Sequence, residues 1–293
     1  MIEISLSFTG GLSDDHEIDL YDGAQALVGF QRSLAITTHL ILNGEVITQA
    51  PKLKGATILS RPPEDGSWKT TAVIATTIFT LGTAPKDTPI GHLISSAYDY
   101  VVSESLGFHV DYDKSLGQQI EEHRRANPDS LVPALRETQF DSVIEKCETA
   151  LRDLHRPIVF SETAHQGRII ERRGSTEKPI GPPLDWNTWG YIAHTHQTDT
   201  PQIFEGWVSS YNMNTFKGRI YINKEGRPIP FQLSEEVRGV VSVGLITSSL
   251  TMNARQRLID TGKRYFSAFR NETSNGRLKS LLILRISDSI DTL

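Results

Sequence analysis

Cysteine occurs once in these 293 residues, at Cys147. A single thiol rules out an internal disulfide framework and a Cys-rich zinc site, and it fits a reducing compartment. Long apolar runs are also missing. The longest, "TAVIATTIFTLG" at 71–82, is about half of the ~20 residues needed to cross a bilayer, and its β-branched content points to a buried strand. The opening "MIEISLSFTGG" has neither a basic n-region nor an apolar h-region, so the expectation is a cytoplasmic protein with no membrane partner. Neither G-x-x-x-x-G-K-[ST] nor G-x-G-x-x-G is present, which argues against classical nucleotide hydrolysis. No G-x-S-x-G elbow occurs either. Cys147 lies on a helical stripe with Ile144 and Leu151, where an inert buried thiol is expected. These absences favour a protein that binds over one that catalyses, and no cofactor is implied.

What is present is ordinary for a globular chain: 38% hydrophobic and 22% charged residues. The length suggests two domains, at ~100–200 residues each. The net charge of −5 hides an asymmetry. Residues 1–186 carry 17 Lys/Arg against 26 Asp/Glu, whereas 187–293 carry 13 against 9. The halves therefore either meet different partners or attract each other.

Ile2, Ile4, Leu6 and Phe8 alternate as in a half-buried strand. From Asp19 the period changes to three and four, which predicts a long helix stopped at Asn43–Gly44. "GATILS" and "SWKTTAVIATTIF" flank the turn-forming "RPPEDG" and complete a β-α-β-β unit. Helices are predicted from Leu93 to Leu106, from Leu116 to Arg125, and from Pro128 to Leu154, the last with Pro133 in its first turns. Residues 161–186 hold "RRGSTEKPIGPPLD" and read as a linker. Beyond it come strands at "IFEGWVSSYNMN", "FKGRIYIN" and "RPIPFQL". An amphipathic helix with Val237, Val240, Val241, Gly244 and Leu245 on its apolar side follows, then "RYFSAFR" and "LKSLLILRI". The expected fold is α+β: an acidic N-terminal domain (1–160), the linker (161–186), and a mildly basic barrel (187–293). The order β-β-β-α-β-β suits a Greek-key barrel of OB type, although permuted or SH3-like barrels share it.

Three constellations are candidates for chemistry. In "HTHQTD", His194, His196 and Asp199 suggest a metal-dependent hydrolase, since alternate residues of a strand share a face. Thr200 and Gln197 stand where related metallohydrolase patterns need His or Pro, so a polar strand approach competes with that reading. "HVDYD", with His109, Asp111 and Asp113, has the same weakness. On the barrel strands, Trp207 and Tyr211 are expected on one face, with Lys217, Arg219 and Tyr221 beside them and Arg227 following. Rings that stack on bases beside cations that meet phosphates would bind a nucleic acid or nucleotide. The alternative is that the aromatics pack and the cations are solvated. In the acidic half, Tyr98, Tyr100, Tyr112 and their neighbouring acids could form a protein-contact or self-association surface, or could pack helices together.

The strings "EIDLYDGAQALVGFQRSLAITTHLILNGEVITQAP", "PPEDGSW" and "SSYNMNTFKGRIYI…RPIPF" resemble a family of uncharacterised bacterial two-domain proteins associated with mobile islands and phage defence. The resemblance spans most of the chain and carries over no catalytic residue. It carries over no function and implies only a context, a component of an antiviral defence system; the binding or sensing role is read from the residues.

Overall fold

The computed structural model describes residues 2–61, 68–76, 89–126, 132–273 and 276–293. Two compact units divide at residues 193 and 194.

In the first unit, strand β1 (Ile2–Thr9) pairs antiparallel with both β3 (Lys69–Thr76) and β4 (Gln166–Arg173). With β2 (Ala56–Arg61) and β5 (Thr176–Leu184) they form a sheet in the order β2-β3-β1-β4-β5. The alternating Ile2, Ile4, Leu6 and Phe8 join the core, and Ser5 on the other face bonds the Thr71 hydroxyl at 2.9 Å. Helix α1 (Leu20–Asn43) is capped by the Asp19 carboxylate, which accepts from the Asp22 amide. It ends at Gly44, whose φ of 70° is the left-handed turn a C-terminal cap needs. Helices α2 (Pro89–Ser105) and α4 (Glu137–Leu154) share the core with α1. Tyr98 is fully buried with its hydroxyl 2.8 Å from Ser33, and Tyr100, Tyr112 and Phe140 form one ring cluster. The tyrosines of the acidic half thus pack helices together, with Tyr112 half-buried, rather than display a contact surface. Helix α3 (Gln118–Ala126) follows a single π turn.

Two expectations need correction here. Residues 161–186 are not a linker: 166–184 are the β4–β5 hairpin, which extends the sheet beyond β1. Its prolines are tolerated because β5 is an edge strand, where a missing amide leaves no ladder partner unsatisfied. The first unit accordingly runs on through α5 (Arg156–Val159) and α6 (Trp186–Ala193), rather than ending at 160. The fourth helix starts at Glu137, with Pro133 outside it; Asn127 and Pro128 lie outside the described residues.

The second unit is a closed barrel. Strands β7 (Gln202–Asn212), β8 (Lys217–Ile222), β9 (Arg227–Leu233), β11 (Leu278–Ser287) and β10 (Arg264–Glu272) follow one another around it, and β10 returns to β7. The β9–β11 pair is parallel. This 1-2-3-5-4 order, with helix α7 (Val240–Arg255) between the third and fourth strands, is the OB arrangement. Val208, Ile220, Ile229, Phe231, Phe266 and Ile283 fill its interior.

Helix α7 is rotated from the expected face. Val240 and Val241 are exposed, whereas Ile246 and Ser249 are buried. The helix begins only after Gly239, and a separate 3-10 turn carries Val237 against the barrel core. Ser249 faces inward because it is needed there. Its hydroxyl accepts from the Val208 amide at 3.0 Å and donates to the Gly262 carbonyl at 2.6 Å.

Candidate functional site

The Val208 amide needs that partner because the β7–β10 ladder stops at Gly206↔Arg264, leaving that edge of β7 to α7. Just beyond, β7 bulges at Ser209: the register with β8 steps from Val208↔Ile220 to Ser210↔Arg219. One extra residue reverses the side-chain alternation beyond it. Trp207 and Ser210 therefore share the outer face, while Tyr211 turns in with Val208 and stacks on Phe231 (6.3 Å between centroids, 6° between planes). Burial pushes the Tyr211 phenol above its ordinary pKa. Tyr211 is a wall of the core and not a stacking platform.

Trp207 does point outward, but it is covered. Its Nε1 donates to the Ile259 carbonyl at 2.7 Å, the Lys263 ammonium lies 5.9 Å over its ring, and only 4% of the residue is exposed. Arg219, directly opposite Ser210, is 3% exposed. Arg227 falls on the interior parity of β9 with Ile229 and Phe231, and its Nη2 donates to the Leu278 carbonyl at 2.7 Å, bridging two strand ends. Of the six residues expected at a binding face, Trp207, Tyr211, Arg219 and Arg227 thus have structural work to do.

Lys217 and Tyr221 are both half-exposed on the outer face of β8, with Arg219 between them. Across the ladder Lys217 faces Asn212 on one side and the exposed Gln232 on the other; Tyr221 faces Pro228. The β7–β8 loop next to Lys217 exposes Met213, Asn214 and Thr215, whereas Tyr221 lies at the other end of β8. Phe216 closes that loop with a φ of 55°, its amide bonded to the Asn212 carbonyl at 2.9 Å, and the Arg238 guanidinium lies 4.9 Å over its ring. Residues 194–293 keep the excess of 13 Lys/Arg over 9 Asp/Glu. A ring, a cation and amide side chains on one outer strand pair can contact a base, a phosphate and base edges respectively. The face of Asn212 could not be read from the sequence, because it lies beyond the bulge in β7, whereas Gln232 lies on the regular β8–β9 ladder.

The alternative metal centre does not assemble. His194, His196 and Asp199 are all exposed, and β6 (His196–Gln197) pairs instead with the end of β10. Among the described residues no three His, Cys, Asp or Glu side chains group closely enough to hold a metal ion. His109 Nδ1 lies 2.8 Å from the Glu104 carboxylate, apart from Asp111 and Asp113.

Family models meet the two units separately. The first, a domain of unknown function (DUF7946), matches residues 4–181; the second, a family of unknown function (DUF7947), matches 200–287. The chain belongs to the DUF7946 family. Its matched region takes in β4 and most of β5, in agreement with the sheet. No curated protein and no solved structure matches the chain. No helix among the described residues is long and apolar enough to cross a membrane.

Proposed function

We propose that this chain is a non-catalytic binding protein that engages single-stranded nucleic acid on the outer face of β8 and β9. The observation that carries the reading is that Lys217 and Tyr221 share the outer side of a barrel with OB strand order, Lys217 opposite the exposed Gln232 and next to the β7–β8 loop, and Tyr221 further along the same strand. That strand pair and that loop are where barrels of this order meet oligonucleotides. Tyr221 stacks on a base, Lys217 neutralises a phosphate, and Gln232 reads a base edge. The contact is sequence-tolerant and salt-sensitive, since stacking accepts any base and each neutralised phosphate releases counterions. The setting we infer is cytoplasmic. A place in antiviral defence rests on the family resemblance alone.

Titration of the full chain with a fluorescein-labelled dT20 tests the reading. Binding should weaken about tenfold or more in Lys217→Gln/Tyr221→Ala, in line with about 1–3 kcal/mol per stacked base. Equal affinity for the wild type and the double variant would overturn it.

A further inference from the structure

The first unit carries a candidate surface of its own. At the start of α1, Leu20 is 86% and Tyr21 64% exposed, and Phe160, just past α5, is 56% exposed. Arg156 joins Tyr21 and Phe160. Its guanidinium lies 5.1 Å from the centroid of Tyr21 and 4.7 Å from that of Phe160, sandwiched between them. The buried Asp22 carboxylate accepts from Arg156 Nε at 2.9 Å and fixes the sandwich from below. Beyond Phe160 the stack continues to Trp189, edge-on at 5.5 Å. In this ladder Tyr21 and Phe160, held by the Arg156 guanidinium and backed by the half-buried Trp189, present their rings at small entropic cost, which is the composition of interface anchors. Exposed aromatics held in one continuous row differ from singly scattered apolar residues, which need no explanation.

The charge around the ladder selects its occupant. The loop leading to α1 exposes Asp14, Asp15, Glu17 and Asp19, and Glu162 is exposed two residues past Phe160. Hydrogen bonds hold these segments together: Ser13 N to the Thr163 carbonyl at 2.9 Å and Asp19 N to the Thr163 hydroxyl at 3.4 Å. Arg156, the cation inside the ladder, is matched by Asp22, so the rim is acidic. An anionic polymer is repelled here, whereas a cationic one is attracted and oriented. We propose that the Tyr21–Arg156–Phe160 ladder and its acidic rim form a docking surface for a partner protein's basic segment, with an aliphatic or aromatic residue seated on the rings and Lys or Arg residues on the rim.

Selection of a random peptide phage library on the full chain tests this. Enriched peptides should carry net positive charge and at least one large apolar residue, and synthetic copies should bind about tenfold more weakly to Tyr21→Ala/Phe160→Ala. Both side chains are more than half exposed, so truncation should leave the thermal transition within a few degrees of wild type. Acidic or uncharged consensus peptides, no enrichment, or equal affinity for the variant would overturn the proposal. So would a wild-type dimer in sedimentation that the variant abolishes, because a second copy would then own the surface.

Discussion

The indole Nε1 of Trp207 donates a 2.7 Å hydrogen bond to the main-chain carbonyl of Ile259, pinning the segment that follows α7 onto the outside of the barrel. The largest aromatic on the outer barrel face is thereby a clamp. Trp207→Phe should lower stability by about 1–2 kcal/mol, the value of one lost, mostly buried hydrogen bond. Oligonucleotide affinity should stay within twofold of wild type. Chemical denaturation and anisotropy titration on one preparation check both.

Helices α1 and α4 cross at Gly29. A Cβ there would stand 2.3 Å from the Ala150 carbonyl oxygen and 3.0 Å from Asp153 Cβ, so Gly29→Ala must push the helices apart. The expected cost is about 1–3 kcal/mol. Gly244→Ala on the exposed side of α7, where a Cβ meets nothing within 4 Å, should instead stabilise by about 0.5–1 kcal/mol. Differential scanning calorimetry reads the opposite signs directly.

His155 is buried between the Leu151 carbonyl (2.8 Å from Nδ1) and the Thr188 hydroxyl (2.9 Å from Nε2). Burial, opposed by the Leu151 hydrogen bond, lowers its pKa from 6.5 to about 4. The folded chain thus refuses a proton that the unfolded chain accepts. The stability this neutral imidazole contributes is full above pH 6.5 and is lost as pH falls towards 4, on the order of 3 kcal/mol in all. His39, lowered chiefly by burial as well, adds to the same slope. Denaturant melts across that window should show the decline, and His155→Gln should flatten it.

Cys147 is fully buried on α4, and burial pushes its thiol up to about 12. It should not react with a disulfide reagent in the native state and should react stoichiometrically in denaturant. Thiol titration under both conditions distinguishes this inert thiol from a nucleophile.

The legible parts of the sequence were those with an unbroken period. Ile2 to Phe8 alternate without interruption, α1 runs from an Asp cap to a Gly stop, and the barrel strands carry hairpin turns between them. Where reading failed, a single local device had altered the pattern. The bulge at Ser209 shifted Tyr211 to the inside, and nothing in "WVSSYN" marks it. Pro179, Pro182 and Pro183 suggested a linker, although an edge strand accepts them. Val240 and Val241 drew the apolar face of α7 towards solvent, whereas Ser249 occupies the inside because the Val208 amide, past the end of the β7–β10 ladder, requires a partner. The candidate site fared similarly: Lys217 and Tyr221 could be placed because β8 is regular. Asn212, beyond the bulge, could not.

Photo-crosslinking tests the recognition claim most directly. The full chain is irradiated with a single-stranded oligonucleotide carrying 5-bromouracil at alternate positions, and the adducts are mapped by mass spectrometry. Adducts should fall on 212–232, with Tyr221 the principal site. Adducts confined to 2–193, or none above background at saturating oligonucleotide, would contradict the account.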